Sequence, residues 1–483
     1  MESVWNHSCK FDNRNSLSGN LETNVLIIGA GIAGLLTGYL LKEKGIDSII
    51  IDAEKICSGN TENTTAKITS QHNIIYEKII REFGLEKAKQ YAYANELAIK
   101  KYREIIEKNN IDCDLEEKDA YIYTLYEDDR IQKELEAALE VGIKAEIVHK
   151  TSLPFGIRDA LKYKDQAQFN PLKFLNFISK DLEIYENTRA LEVEDNLVKT
   201  DKGEIRANHI VVATHYPIIN VPGFYFTRMH QDRTYVIALE NAGDVDGMYI
   251  DLDKNGYSFR NYKNLLILGG ASKRTGENKE GGAYDNLRKK AKEFYPNSKE
   301  VFNWSAQDCI TPDGVPYIGQ YSSNTPNLYV ETGFNKWGMT SSMVAAMIIS
   351  DMIVGKENEF NEIFSPHRFD FTASINQLTK DGIETIKNFS MQKIYIPKEH
   401  IDHVKSGEAE IVEYDGKKVG VYKDLEGKYH IVSTKCAHLG CQLQWNKDEL
   451  IWECPCHGSR YDYDGNWIES PSIYSLSNAD GEK

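Results

Sequence analysis

One N-terminal stretch restricts the fold more than any other. Asn24-Val-Leu-Ile-Ile28 is an unbroken apolar run, the pattern of a parallel strand covered on both faces. It passes into Gly29-Ala-Gly31-Ile-Ala-Gly34, then into apolar residues at helical spacing (Leu35, Leu36, Tyr39, Leu40, Leu41) that stop near Gly45. A second apolar run, Ser48-Ile-Ile-Ile51, ends at Asp52-Ala53. Three spaced glycines alone carry little weight. Strand, glycine turn, helix, strand and acid in one unit predict a Rossmann-like βαβ that binds a dinucleotide. Gly29, Gly31 and Gly34 let the backbone approach a pyrophosphate at the helix N-terminus, where free N–H groups and the helix dipole favour an anion. Asp52 is the expected partner of the adenosine ribose hydroxyls.

A second constraint lies near the other end. Cys436-Ala-His438-Leu-Gly440-Cys441 is followed by Cys454-Pro455-Cys456-His457-Gly458-Ser459-Arg460-Tyr461, with fifteen residues between His438 and Cys454. Each loop offers one thiolate and one imidazole. This is the ligand pattern of a Rieske [2Fe–2S] centre, in which two histidines replace two cysteines on one iron. Neutral imidazoles leave such a cluster less negative than four thiolates would, and its potential rises into a window of roughly −150 to +300 mV. The rival is structural zinc, which also accepts two Cys and two His. Zinc loops space their first pair as C-x2–4-C, whereas one residue separates Cys436 from His438, and Cys441 and Cys456 would have no zinc role.

The segment resembles the Rieske domains of the cytochrome bc type. That resemblance implies that Cys436, His438, Cys454 and His457 bind iron and that Cys441 and Cys456 form a disulfide tying the two loops together. It also implies that Ser459 and Tyr461 donate hydrogen bonds to cluster sulfurs, which stabilises the reduced cluster. Ser470-Pro471 matches the family's shielding loop, with Ser-Pro in place of Gly-Pro.

The glycine unit does not by itself separate FAD from NAD. Further segments resemble, in order, the glycine/D-amino-acid oxidase (DAO) flavoproteins. Gly59-Asn-Thr-Glu-Asn-Thr64-Thr65-Ala66-Lys67 follows the second strand, and Ile210-Val-Val-Ala213-Thr214 is an apolar strand ending in Ala-Thr. Thr311-Pro-Asp313-Gly314-Val-Pro316-Tyr-Ile-Gly319 and Glu331-Thr-Gly333-Phe334-Asn-Lys336-Trp337-Gly338-Met339-Thr340 match the C-terminal flavin motif. The resemblance implies that these segments hold FAD without a covalent bond, through Thr64, Thr65, Ala66, Lys67, Ala213, Gly319, Gly333, Phe334, Lys336, Trp337, Gly338 and Met339, together with Gly29, Gly31, Gly34, Asp52 and Ala53. A helix starting near Met339 would aim its positive end at the flavin N1/C2=O edge.

The expected architecture is an α/β DAO-type FAD domain over 23–365, with an α+β substrate subdomain inserted at about 82–165 and 225–300. An N-terminal extension, 1–22, precedes it. A connecting segment, 366–399, with a charged helical stretch near Thr379 to Lys387, leads to a small all-β Rieske domain over 400–483. Helical spacing from Glu82 to Asn110 predicts one long amphipathic helix, Pro171 opens another, and Thr234–Ala271 reads as strands covering the flavin face.

The substrate side is read from departures. Amino-acid-using DAO members place an arginine five residues before the motif aspartate; here the aspartate is Asp313 and the position holds Asp308. An acid there would repel a carboxylate and suit a cationic or neutral donor such as an amine. No lysine precedes Gly269-Gly270, where the oxidases of the family place one for oxygen activation, so a dehydrogenase is expected over an oxidase. Asp308, Arg260 and Lys336 are the candidate catalytic residues, and His72 is more often a packed ring than a flavin contact.

With Lys+Arg 57 against Asp+Glu 73, the net charge of −16 argues against nucleic acid or an anionic membrane as partner. The polar first twenty residues and the absence of a long apolar run predict a cytoplasmic protein without an integral membrane segment. A single dinucleotide fingerprint leaves no second site for a nicotinamide. The expected reaction is oxidation of a small-molecule donor by FAD, with electrons passed singly to the cluster and on to an outside protein or quinone. The alternatives are a dedicated electron-transfer or redox-sensing protein and a Rieske oxygenase; the latter needs a mononuclear iron site for which the histidines show no pairing.

Overall fold

Register explains how the first apolar run organises its surroundings. In the computed structural model, which describes residues 2–254, 256–368 and 401–477, Leu21–Ile28 lies parallel to Ser48–Ile51 on one side and Glu204–Val212 on the other. Ile28 is opposite both Ile51 and Val212, so the three strands end level and release Gly29, Asp52 and Ala213 at one edge. That edge, outside the carboxyl ends of parallel strands, is where α/β sheets bind ligands. Leu328–Thr332 continues the parallel order beyond Glu204–Val212, and Glu183–Tyr185 does so beyond Ser48–Ile51. The helices Ile32–Glu43 and Gly338–Ile353 pack together in the same unit.

Chain contacts divide the protein into two units, Met1–His215 with Thr234–Ser272 and Tyr284–Arg368, and Tyr216–Arg233 with Lys273–Ala283 and Phe369–Lys483. The stretch expected as substrate side, 225–300, is therefore shared: two of its pieces belong with the C-terminal domain. Of the connecting segment, 369–399 lies outside the described residues, as does the helical stretch near Thr379 to Lys387.

The first unit also holds most of a nine-stranded sheet, which runs from Lys299–Ile310 through His230–Glu240, Leu265–Arg274, Ser258–Tyr262, Met248–Asp251, Glu116–Thr124 and Asp159–Gln168 to Lys67–Ile68, with Ala145–Val148 beside Asp159–Gln168. The long helix expected from about Glu82 to Asn110 is present as Leu85–Asn109, and Gly84, at φ +85°, separates it from the shorter Tyr76–Phe83. Only a residue without a side chain adopts that conformation freely. Pro171–Ile178 starts as expected, with Asn170 Oδ1 accepting from Lys173 N. The N-terminal extension is packed: Trp5 is fully buried, and Leu17 N donates to Thr188 Oγ1 at 3.0 Å.

The second unit is a small all-β body. Ala409–Tyr414, Lys417–Lys423 and Tyr429–Ser433 form one antiparallel sheet; Gln444–Asn446, Ile451–Glu453, Arg460–Asp462 and Trp467–Glu469 form another. Trp452 is fully buried, and its ring lies so close to Gly420 that a Cβ there would approach it to 2.7 Å. Val432, Leu443, Trp452 and Tyr461 surround the four C-terminal cysteines in one core. Arg233 and Arg460 are buried in this unit among Glu449, Glu453 and Glu469; Arg233 meets Glu469 at 3.1 Å and Arg460 meets it at 3.2 Å.

Candidate functional site

The glycine turn of the first unit is set by backbone contact. A Cβ on Gly34 would lie 2.0 Å from the Gly29 carbonyl oxygen, and one on Gly29 would lie 2.5 Å from that of Ala213. At Gly31 a Cβ would meet one atom, Thr61 Oγ1 at 3.2 Å. Gly29 and Gly34 thus seat the turn against the sheet, and Gly31 leaves bare backbone ahead of the helix. Thr61 steadies the helix start by accepting from Ile32 N at 3.0 Å. Asp52 accepts from Ala30 N through Oδ2 at 2.7 Å and from Glu54 N through Oδ1 at 2.8 Å. Each carboxylate oxygen keeps a second lone pair for a ligand hydroxyl, and Ala53 follows at the strand end.

The loop carrying Thr64, Thr65 and Ala66 is held by its carbonyls. Trp5 Nε1 donates to Thr64 O at 2.8 Å, and Arg260 Nη1 donates to Thr65 O at 2.7 Å and Ala66 O at 2.6 Å. Ala66 takes φ +53°, and its N–H is taken up by Thr64 Oγ1 at 2.9 Å. Arg260 is buried and lies over the Trp5 ring. It was expected among the catalytic residues; its guanidinium instead supports this loop from beneath. Burial, and then the Arg260 charge, push the neighbouring Lys67 amine down to about 7.

The C-terminal motif is braced in the same manner. Arg368 grips Asp313 with Nε at 2.9 Å and Nη2 at 3.1 Å, and donates to Pro316 O at 2.8 Å. Gly319 follows at φ +136°. After Gly333 and Phe334, both Asn335 (φ +50°) and Lys336 (φ +76°) are left-handed without being glycine. Such strain persists only where surroundings impose it, and here Asn335 Oδ1 accepts from Thr311 N at 2.8 Å. The turn presents Lys336 Nζ to Ser272 Oγ at 2.6 Å and Thr234 Oγ1 at 3.1 Å, with no carboxylate partner among the described residues. Trp337 and Gly338 then start the helix; the Met339 carbonyl accepts from Tyr102 Oη at 2.8 Å. Trp337 stacks on His72 at 4.9 Å. Both His72 nitrogens are engaged, Nδ1 with Tyr91 Oη at 2.6 Å and Nε2 with Thr69 O at 2.7 Å, and burial pushes its pKa down to about 3. His72 is a packed neutral ring. Asp308 is half-buried on Lys299–Ile310.

In the second unit the two Cys/His loops come together as expected. Cys441 and Cys456 are joined by a disulfide, and the Cys454 sulfur lies within 4.8 Å of both. Cys436 and Cys454 remain thiols. The two imidazoles are 5.0 Å apart and nearly perpendicular. Their Nδ1 atoms are buried without any hydrogen-bond partner. Unpaired buried nitrogens of this kind cost free energy unless a ligand uses them, and burial pushes the pKa of His438 down to about 4 and that of His457 to about 3, which keeps both rings neutral as ligation requires. Two thiols and two free Nδ1 lone pairs are the donor set of a Rieske cluster. Tyr461 Oη accepts from Ala437 N at 3.1 Å, which leaves its proton for Cys436 Sγ at 3.3 Å. Ser459 Oγ accepts from Ser472 N at 3.0 Å, and the Ser470-Pro471 loop is thereby tied to the 454–461 loop.

Sequence reasoning missed Trp5, Thr61 and Arg368 in the first unit and Asn220, Phe226 and Gln231 in the second. Thr61 stands within the 59–67 segment without a role read for it, and the other five stand in no motif; among those, only the size and isolation of Trp5 in a polar stretch could have marked it.

The comparisons with known proteins match both domains. Residues 24–352 match the family model described as FAD dependent oxidoreductase (DAO), and 395–479 match that of the Rieske [2Fe-2S] domain. A Rieske 2Fe-2S iron-sulfur protein of Bacillus subtilis (strain 168), YhfW, is 36% identical over 99% of this chain and 97% of its own length. Glycine oxidase of the same organism is 24% identical over 69% of this chain and 93% of its own. Among solved structures, the L-proline dehydrogenase of P. horikoshii superposes with a TM-score of 0.61 at 15% identity, covering 73% of this chain and 98% of its own.

Proposed function

Because the chain belongs to the FAD dependent oxidoreductase (DAO) family and carries a C-terminal Rieske domain, and FAD and a [2Fe–2S] cluster are therefore its cofactors, we propose that it is a dehydrogenase for a small organic amine. The observation that carries this reading is the pairing of two complete donor sets on one chain: the level strand ends with their glycine turn, and two thiols beside two unpartnered imidazole nitrogens. FAD held there would supply two-electron oxidation with release one electron at a time, which suits a one-electron cluster as recipient.

The residues divide the remaining work. Gly29, Gly31 and Gly34 with Asp52 take the dinucleotide, and Arg260 and Trp5 hold the loop of Thr64 to Ala66 in place. Lys336 supplies a positive charge held only by hydroxyls and suited to an anionic edge of ligand or flavin. Asp308, standing where amino-acid-using members have an arginine, favours an amine without a free carboxylate. Glycine oxidase and L-proline dehydrogenase, by their names, act on C–N donors, which supports an amine here too. Leu266, Ile267 and Leu268 are buried in place of the lysine of the oxidases, which supports transfer to the cluster over transfer to oxygen. Cys436, His438, Cys454 and His457 hold the iron, and Ser459 and Tyr461 donate to its sulfur ligands.

The test is anaerobic titration of the holoprotein with amines, amino acids and N-methylated acids, following flavin absorbance and the Rieske EPR signal together. An amine that bleaches the flavin and then raises the cluster signal is the expected result. Reduction of both centres by chemical reductants or proteins alone would replace this reading with an electron-transfer role.

A further inference from the structure

The histidine side of the cluster site is not left to solvent. A segment far upstream in sequence, Tyr216–Arg233, lies in the same compact unit as the ligand loops. His438 Nε2 and Asn220 Oδ1 are 2.8 Å apart although 218 residues separate them. Phe226 meets the His438 ring edge-on at 6.3 Å and the His457 ring at 5.8 Å. Gln231 Nε2 donates to His457 O at 2.6 Å. Gly458 has no room for a side chain there, since a Cβ would come within 2.5 Å of Gln231 Nε2. One segment thus touches both ligand loops at three points.

We propose that Asn220 is a positioning residue of the cluster, fixing the His438 ring and setting the reduction potential through it. The inference rests on the reading of His438 as an iron ligand. An amide oxygen can only accept, so Nε2 carries the proton and Nδ1 keeps its lone pair. That is the tautomer an Nδ1 ligand needs, and it agrees with the unpartnered Nδ1 of His438. A hydrogen bond accepted from Nε2–H also draws the proton outward and raises the electron density of the ring. The imidazole becomes a stronger donor to iron, which favours the oxidised cluster and lowers the potential. Phe226 strengthens the effect by keeping water from the ring edges, since a drier site screens charge less. Only the part of this segment from residue 225 onward is expected on the substrate side, and Phe226 and Gln231 in it face the cluster ligand loops.

The test uses the full-length holoprotein and redox titrations followed by EPR, with iron content measured in each sample. Asn220→Leu removes the acceptor and is expected to raise the potential; Asn220→Asp offers a stronger acceptor of the same size and is expected to lower it. Each shift should be near a tenfold change in the oxidised-to-reduced ratio, about 59 mV for one electron. Shifts of opposite sign separate this role from loosened packing, which would move both variants the same way. Two potentials equal to wild type at full iron content, or two shifts of one sign, overturn the inference alone. A wild-type protein without a Rieske signal overturns the ligand assignment and the inference with it. Should Asn220→Leu lose its iron, Asn220→Asp decides: a potential at or above the wild-type value refutes the proposal.

Discussion

The two cofactor sites are built by opposite means. In the first unit the glycine turn works by what is missing: backbone meets backbone at Gly29, Gly34 and Ala213, and a single added carbon has nowhere to go. In the second unit the ligand loops work by what is present, two thiols and two imidazoles whose free nitrogens point at nothing else in the protein. A site made of backbone depends on local geometry and is contained in a short stretch of chain. One made of side chains depends on donor identity, and its support can be gathered from any distance along the sequence, as Asn220, Phe226 and Gln231 show.

The contrast can be broken from either side. Cys454→Ser replaces a soft thiolate donor with a hydroxyl, and the expected outcome is complete loss of the [2Fe–2S] EPR signal and iron while FAD content stays at the wild-type level. Loss of both cofactors together would mean the units do not fold independently. Gly34→Ala is the reciprocal change. Its Cβ would fall 2.0 Å from the Gly29 carbonyl oxygen, which forces the turn off the sheet. FAD retained on purification should drop by about 5- to 150-fold, as expected for an overpacking cost of about 1–3 kcal/mol, with the cluster signal intact. A change in stability with both cofactors retained is expected where neither is touched. Arg460→Ala would remove one of the two arginines that pair with Glu449, Glu453 and Glu469 in this buried group. Breaking a buried ion pair by removing one partner costs about 3–5 kcal/mol. Denaturant unfolding monitored by the fluorescence of Trp445 and Trp452 should show that loss, with the FAD-domain transition unmoved.

The same contrast decides what could be read in advance. Strand, glycine turn, helix and acid announce themselves because each step of a βαβ unit has its own residue pattern, and the cluster ligands do so because few chemistries need Cys and His at that spacing. The supporting contacts have no such signature. Arg260 stands in the strands expected over the flavin face and Lys336 in the C-terminal flavin motif, yet one meets backbone carbonyls and the other hydroxyls, a difference set by tertiary packing and by the left-handed Asn335-Lys336 turn. The sharing of 225–300 between units was hidden because strands keep one alternation whichever body they pack against.

Glu331 sharpens the comparison further, because it is a side chain buried where the site is otherwise backbone. It lies on Leu328–Thr332, just before the Gly333 turn, with Oε1 accepting from Thr37 Oγ1 at 2.6 Å and Oε2 buried without a partner. Burial pushes its pKa up to about 8, against the smaller opposing effect of Thr37. The native state therefore holds a proton that the unfolded chain releases at the ordinary carboxyl pKa. Below that value both states are protonated and nothing is lost. As pH rises toward 8 the unfolded state ionises first and stability falls, by at most about 1.4 kcal/mol per pH unit; above 8 the loss is complete and constant. Glu331→Gln cannot ionise, so its melting temperature should follow pH less steeply than wild type between 5 and 8, whatever the absolute cost of the buried amide. Equal slopes for the two proteins would mean that Glu331 finds a partner for its charge, and that this edge of the FAD unit is wetter than its packing implies.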